Sequence, residues 1–223
     1  MSPFSSVDRE PVRAAAHRLG GTTNDAVLAG YGRALGRLLT TRGESLDEIV
    51  MTVPVSGRRR ASGQQQASGE GNLVAPAIVA VPTSGDPARR VAAVAAAVRA
   101  RKEAATGPPP IAVLGPAFRV LAAVGGCQWY MARQQRMHTL LTHVRAPSNR
   151  LSLGGHPITE TVAVPVGGGG NTSVYAAVVS YGGRLTITLV VDPDLVGQDE
   201  LTRLADDPRA DLAAIVAAAR PAP

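Results

Sequence analysis

The stretch SVYAAVVSYGGRLTITLVV, residues 173–191, decides the fold class. It contains two runs rich in valine, leucine and isoleucine, residues 173–180 and 184–191, on either side of Gly182 and Gly183. β-Branched and aromatic residues favour strands, and adjacent glycines readily adopt the positive φ angles of a two-residue hairpin turn. The stretch therefore predicts an antiparallel β-hairpin.

On either side of this hairpin the sequence mixes strand and helix patterns. Short runs with strand-like composition predict strands at residues 49–56, 74–81, 142–146, 151–153 and 158–166. Helical spacing of apolar residues between start and stop signals predicts helices at residues 7–19, 22–43, 86–105 and 199–220, and two more within 111–141. This order predicts a single α+β domain over residues 1–223, with a mixed sheet flanked by helices.

Composition excludes several classes of protein. The net charge of +6 permits an anionic partner, but no nucleic-acid recognition motif accompanies it, and all basic residues except Lys102 are arginine, which coding bias explains. A single cysteine, Cys127, excludes an internal disulfide and a multi-cysteine zinc site, so no metal is expected. The N-terminus has no signal-peptide pattern, and no window reaches the about 18 to 20 apolar residues of a membrane span. We therefore expect a cytoplasmic protein, with any contact at membranes or lipid inclusions being peripheral.

Several short motifs together resemble one family. The chain carries GTTNDAVLA at residues 21–29, VPVSGR at 53–58, Gly-Asn at 71–72 and Asp-Pro at 86–87, with Arg90 following. Near the other end it carries SYGGRL at 180–185 and DPDL at 192–195. In order and spacing these resemble the C-terminal domain of the bacterial wax ester synthase/diacylglycerol acyltransferase family, over roughly residues 6–219.

The resemblance implies a fold and a substrate class. It implies one half of a chloramphenicol acetyltransferase-like two-domain fold, with a tunnel between the domains for acyl-CoA and an acceptor, either diacylglycerol or a fatty alcohol. Acyl-CoA is then a substrate, and no cofactor is expected. The family's catalytic histidine lies in an HHxxxDG motif, and none of the four histidines here has that context: His17, His138, His143 and His156. The general base is therefore missing, and we expect no turnover by this chain alone.

Six residues are candidates for substrate binding or structural support: Asn24, Asp25, Ser56, Arg58, Asn72 and His143. The Asn24–Asp25 pair stands at a predicted helix start, where short polar side chains cap free N–H groups. Arg58 follows a predicted strand and suits a CoA phosphate, although an exposed strand-end charge is an equal alternative. His143 replaces an asparagine of the family pattern, and we interpret it as structural, with recruitment to catalysis as the alternative.

Two functions remain open. The first is the C-terminal domain of an O-acyltransferase that lines the acyl tunnel and supports a catalytic N-terminal half, with the half that carries HHxxxDG absent from residues 1–223. The second is a non-catalytic lipid-binding or interaction module derived from the same fold. In either case a half-fold exposes an apolar face, so we expect it to bind its other half, self-associate or bind a lipid surface.

Overall fold

The computed structural model describes residues 4–56, 74–104, 110–147, 149–165 and 171–220. Within these ranges the strands are β1 (Phe4–Asp8), β2 (Glu48–Ser56), β3 (Val74–Pro82), β4 (Thr139–Arg145), β5 (Ser152–Leu153), β6 (His156–Pro157), β7 (Val174–Tyr181) and β8 (Arg184–Val191). The helices are α1 (Arg9–Arg18), α2 (Thr23–Thr41), α3 (Pro87–Ala104), α4 (Pro110–Ala123), α5 (Cys127–Arg133) and α6 (Gln198–Ala218).

Six strands form one mixed sheet in the order β1-β8-β7-β4-β2-β3. The two central pairs, β2–β4 and β4–β7, are parallel, and the outer pairs are antiparallel. Helices pack against this sheet, so the predicted α+β class with a flanked mixed sheet is confirmed. The predicted hairpin is also confirmed, because Tyr181 pairs with Arg184 across Gly182 and Gly183, which have φ angles of +56° and +85°.

The core lies between one face of the sheet and the helices, and two glycines let α2 approach the sheet closely. Gly32 of α2 has no side chain to separate it from Val81 and Met51, and Gly36 lies against Thr83 in the same way. Small and medium apolar residues fill the remaining space, as the low aromatic content requires. The largest of those with less than 2% exposure are Tyr31, Leu28, Ile49, Met51, Leu141, Leu185, Leu204, Leu212 and Ile215.

A buried ionic network joins three helices. Arg37 on α2 donates from Nε to Asp207 Oδ2 at 3.0 Å and from Nη1 to Asp211 Oδ1 at 3.1 Å, both on α6. Arg90 on α3 lies 3.8 Å from the same Asp211 carboxylate and donates to the carbonyl of Gly85 at 2.9 Å. Burial lowers the pKa of Arg90, and the Asp211 carboxylate opposes that shift. The network therefore holds α2, α3 and α6 together.

Three secondary-structure predictions were wrong. Residues 4–8 form β1, although its composition of Ser5, Ser6 and Asp8 carries little strand signal, because it pairs with all five facing residues of β8. Residues 139–141 begin β4 rather than ending a helix, and Thr139 Oγ1 donates to the Val174 carbonyl at 2.6 Å. Residues 158–165 form no strand, and Ile158 instead contacts Leu151 and Tyr181 through single hydrogen bonds.

Candidate functional site

The candidate site is the sheet edge where three parallel strands end. β2, β4 and β7 run in the same direction and end at Ser56, Arg145 and Tyr181 respectively. The carboxyl ends of parallel strands commonly form ligand sites, because loops that follow them meet there. Two predicted site residues, Ser56 and His143, therefore belong to one edge.

The ladder between β2 and β4 opens toward this edge. Among the described residues, these strands pair at Met51–Thr139 and Thr52–Leu140, whereas β4 and β7 stay paired from Leu140–Tyr175 to Arg145–Ser180. The later backbone groups of β2 and β4 are therefore not bonded to each other. The sheet offers an opening at its carboxyl edge that a uniform sheet lacks.

His143 lies next to this opening and bonds to the neighbouring strand. Its Nε2 is 2.7 Å from Ser180 Oγ on β7. Burial lowers the pKa of the imidazole to about 4, and the positive charges of Arg145 and Arg9 lower it further in the same direction. The ring is therefore uncharged at neutral pH.

The chemistry of this pair favours a structural tie. A general base works best when its pKa is close to the working pH, and a pKa of about 4 makes His143 a weak proton acceptor at neutrality. Ser180 is only 8% exposed, so its hydroxyl gains little access to a substrate. The hydrogen bond joins β4 and β7 where both strands end.

Asp25 is hydrogen-bonded to Thr22 at the start of α2. Thr22 donates to Asp25 Oδ2 from both its backbone N and its Oγ1, each at 2.8 Å, and the Asp25 N–H donates to Thr22 Oγ1 at 3.4 Å. This reciprocal capping box satisfies N–H groups that the first helical turn leaves free. Asp25 is 4% exposed, while Asn24 beside it is half-buried.

A buried hydrogen bond connects α2 to the central strands. Tyr31 OH lies 3.0 Å from Thr139 Oγ1 at the start of β4, and burial raises the pKa of the phenol far above its ordinary value. Since Gly36, further along α2, lies against Thr83 at the end of β3, α2 runs opposite to β2. Its capped N-terminus consequently points toward the carboxyl edge of the sheet.

The structure brings together only some of the six predicted site residues. Among the described residues, no hydrogen bond or ion pair joins Asn24 or Asp25 to His143. Arg58 and Asn72 lie outside the described residues. Ser56 is placed by its backbone as the last residue of β2.

Sequence reasoning missed the partner of His143. Ser180 lies 37 positions away in the chain, and it becomes a neighbour only because β4 and β7 pair in parallel. Thr139 was missed for a related reason, since its segment was predicted to be helical. A strand-like reading of residues 139–145 would have placed Thr139 and His143 on one face, because alternate positions of a strand share one face. The partner of His143 would still depend on which strand lies beside β4.

The described residues offer neither a metal cluster nor a membrane-spanning helix. Within the described part of the chain, no group of three or more histidine, cysteine, aspartate or glutamate side chains is arranged to hold a metal ion. Nor does any helix in those ranges combine the length and apolarity needed to cross a bilayer.

Solved structures similar to this chain have condensation-domain and acyltransferase folds. A wax ester synthase/diacylglycerol acyltransferase from Marinobacter aquaeolei VT8 matches with a TM-score of 0.66 and 17% identity, over 97% of this chain and 48% of that one. The epimerization domain from the third module of tyrocidine synthetase B matches with a TM-score of 0.59 and 15% identity, over 97% and 47% respectively. The chain spans about half the length of these structures, and its fold is that of one half of a two-domain acyltransferase.

The family follows from the sequence itself. The chain belongs to the WS/DGAT C-terminal domain family, whose model matches residues 70–215. That span includes the Asp-Pro pair at 86–87, Arg90 and the motifs at 180–195, so the predicted resemblance is confirmed. A search of curated proteins gave no match.

Proposed function

We propose that this chain acts as the C-terminal domain of an acyl-CoA-dependent O-acyltransferase that makes triacylglycerol or wax esters. The observation that carries the proposal is the family match over residues 70–215, on a fold shared with the Marinobacter wax ester synthase/diacylglycerol acyltransferase. In this proposal the domain lines one wall of an acyl tunnel. It supports a catalytic half that carries HHxxxDG.

The proposed chemistry assigns the proton transfer to that other half. Acyl transfer requires a base to take the proton of the acceptor hydroxyl as the oxygen attacks the thioester carbonyl and the CoA thiolate leaves. In this chain the most buried histidine, His143, is hydrogen-bonded to Ser180 and has a pKa of about 4. We accordingly propose that the chain is inactive alone.

The proposed substrate-facing surface is the carboxyl edge of the sheet. Backbone groups of β2 and β4 are not bonded to each other there, and Arg58 and Asn72 belong to the segment that connects β2 to β3. An arginine in that segment suits a CoA phosphate, because guanidinium and phosphate form paired charge-assisted hydrogen bonds. Asp25 supports the same region by capping α2.

The test measures transfer from palmitoyl-CoA to diolein and to hexadecanol. The chain is assayed alone and after addition of an N-terminal half that carries HHxxxDG, with the chain variant His143→Gln run in parallel. Activity in the mixture, retained by the variant, is the expected result. Activity of the chain alone that disappears in His143→Gln would instead make His143 the base.

A non-catalytic lipid-binding or interaction module is the second candidate. The exposed apolar side chains of α4 and α5, with Val120 at 66% and Trp129 at 60%, favour it. Absence of transfer in both arms, combined with retained binding to lipid vesicles, would support this module over the acyltransferase domain.

A further inference from the structure

Helix α4 has an apolar sequence, but within its described side chains, residues 116–123, all except Leu121 are exposed. Its fourteen residues, PIAVLGPAFRVLAA, include a single charged side chain, Arg119. Helices that are apolar all round are normally buried. Yet Phe118 and Val120 are 43% and 66% exposed, and Val124, which follows the helix, is 74% exposed.

Helices α4 and α5 contact each other as a hairpin. Phe118 and Tyr130 meet edge to face with ring centroids 5.7 Å apart, and the turn between the helices places Gly125 at a φ of +69°. The far end of α5 is tied to the sheet side, where Gln134 Nε2 donates to Asn171 Oδ1 at 2.7 Å. The hairpin is thus held at the end of α5, while Phe118, Val120 and Trp129 are exposed.

The segment of sequence that contains the hairpin carries charge of one sign. Residues 104–159 contain no aspartate or glutamate and five arginines: Arg119, Arg133, Arg136, Arg145 and Arg150. The same stretch holds seven of the eleven exposed large hydrophobic residues among those the structure describes. Exposed apolar residues and positive charge without neighbouring acidic residues therefore occur in one stretch of sequence, in which Arg119 and Arg133 belong to the hairpin itself.

Trp129 is placed as an interfacial aromatic residue. Its ring is 60% exposed, and the Arg133 guanidinium carbon lies 5.1 Å from the ring centroid. Tryptophan and tyrosine are enriched at the level of lipid headgroups, because one part of the ring system is apolar and another is polar. Arginine beside them can pair with lipid phosphates.

We propose that the α4–α5 hairpin is an interfacial anchor that binds an anionic phospholipid surface. Fourteen residues of helix extend about 21 Å, which is less than the about 30 Å of a bilayer core, so the hairpin lies in the headgroup region instead of spanning. Charge selects lipid over a mixed-charge protein surface, because an anionic bilayer supplies a continuous field for several arginines at once. The inference does not depend on acyl transfer.

The chain carries its own probe for this interaction, since Trp129 is its single tryptophan. The full chain is mixed with vesicles of phosphatidylcholine alone and with vesicles that also contain phosphatidylglycerol. We expect a blue shift of Trp129 emission and co-sedimentation with the second kind, both weakened by added salt. Lipids brominated near the headgroup should quench Trp129 emission more than lipids brominated at the chain ends.

Matched variants distinguish binding through this hairpin from nonspecific hydrophobic binding. Val120→Ser combined with Val124→Ser should weaken vesicle binding about tenfold or more, because each change removes apolar surface from the interface. Leu195→Ser is the control: Leu195 is 57% exposed but lies in the turn before α6, and its change should leave binding intact. All three positions are exposed, so circular dichroism should show an unchanged fold.

Three outcomes would overturn the proposal. The first is no vesicle-dependent shift, and the second is equal loss of binding in Leu195→Ser. The third is a shift of Trp129 emission in the absence of vesicles. If the shift appears as protein concentration rises, a second copy of the chain covers the hairpin. If it appears on addition of the HHxxxDG-bearing half, that half covers it.

Discussion

The environment of His143 makes its imidazole a poor catalyst of proton transfer. It lies on β4 beyond the last residue paired with β2, but its Nε2 is bonded to Ser180 and the ring is uncharged at neutral pH. The sequence predicted the position of this residue in a strand. It could not predict the partner, because that depends on which strand lies beside β4.

The pH dependence of stability should report on this residue. In the unfolded chain the imidazole takes up a proton near pH 6.5, while in the folded protein it does so only near pH 4. The unfolded state therefore binds more protons between these values, so stability is complete above pH 6.5 and declines as the pH falls toward 4. At about 1.4 kcal/mol per pKa unit, this loss reaches about 3 kcal/mol.

Urea unfolding at pH 7.5 and pH 5 measures this effect. The difference in unfolding free energy between the two conditions should shrink by about 2 kcal/mol in His143→Gln, which cannot be protonated. The exposed His156, changed to glutamine in the same way, serves as the control. An unchanged difference in His143→Gln would contradict the burial-based account.

Helix α2 illustrates packing at the scale of an element. Two of its glycines, Gly30 and Gly32, are both buried but face different neighbours. A Cβ at Gly32 would overlap Val81 Cγ1 on β3, whereas a Cβ at Gly30 would sit 3.6 Å from Asp211 Cβ on α6, an ordinary contact distance. The close approach of α2 to the sheet therefore depends on Gly32.

Alanine substitutions should separate these two glycines. Gly32→Ala should destabilise the protein by about 1 to 3 kcal/mol, because it overpacks the interface between α2 and β3. Gly30→Ala should be neutral or stabilise by up to about 1 kcal/mol, because alanine favours the helix. Thermal or urea unfolding of both variants decides the point. A similar effect in the two would show that α2 can shift away from β3.

Elements were predictable where local chemistry agreed with tertiary packing. The hairpin of β7 and β8 has both strand-forming composition and its turn glycines, and α2 has its capping threonine and aspartate. In contrast, β1 is stabilised by its neighbour more than by its own residues. Residues 158–165 have strand-like composition but gain no ladder partner.

Across the whole molecule, the buried ions connect helices that are far apart in the sequence. Asp211 forms ion pairs with both Arg37 and Arg90, and the Arg90 side chain is 5% exposed. Asp207 pairs with Arg37, and the Asp207 side chain is 31% exposed. Asp211→Asn should cost about 3 kcal/mol, because it leaves the buried Arg90 without a counter-charge. Asp207→Asn, its matched control, should cost less than about 1 kcal/mol.

Urea midpoints of the two variants, measured at neutral pH, provide the comparison. Equal costs would mean that Arg90 finds another partner when Asp211 is neutral. The network was not predictable from the sequence, since the sequence marks Arg90 only as part of a motif. Its partner Asp211 lies 121 positions later, and only the packing of α3 near α6 brings the two together.

The order of strands in the sheet was likewise beyond local reasoning. Placing β4 between β2 and β7 depends on two crossover connections, and nothing in the local sequence specifies which strands these connections bring together. The family resemblance predicted the general architecture. The break in the β2–β4 ladder, which defines the candidate site, was found only in the structure.

The pairing of the first strand with the last also affects how the protein is made. Phe4 pairs with Thr188 and Asp8 with Arg184, so β1 has no partner until residues 184–188 have left the ribosome. At about 5 to 20 residues per second, synthesis of the intervening segment takes about 10 to 35 s. Until then β1 is an unpaired strand, and the polar residues Ser5, Ser6 and Asp8 make it less prone to pair with neighbouring nascent chains.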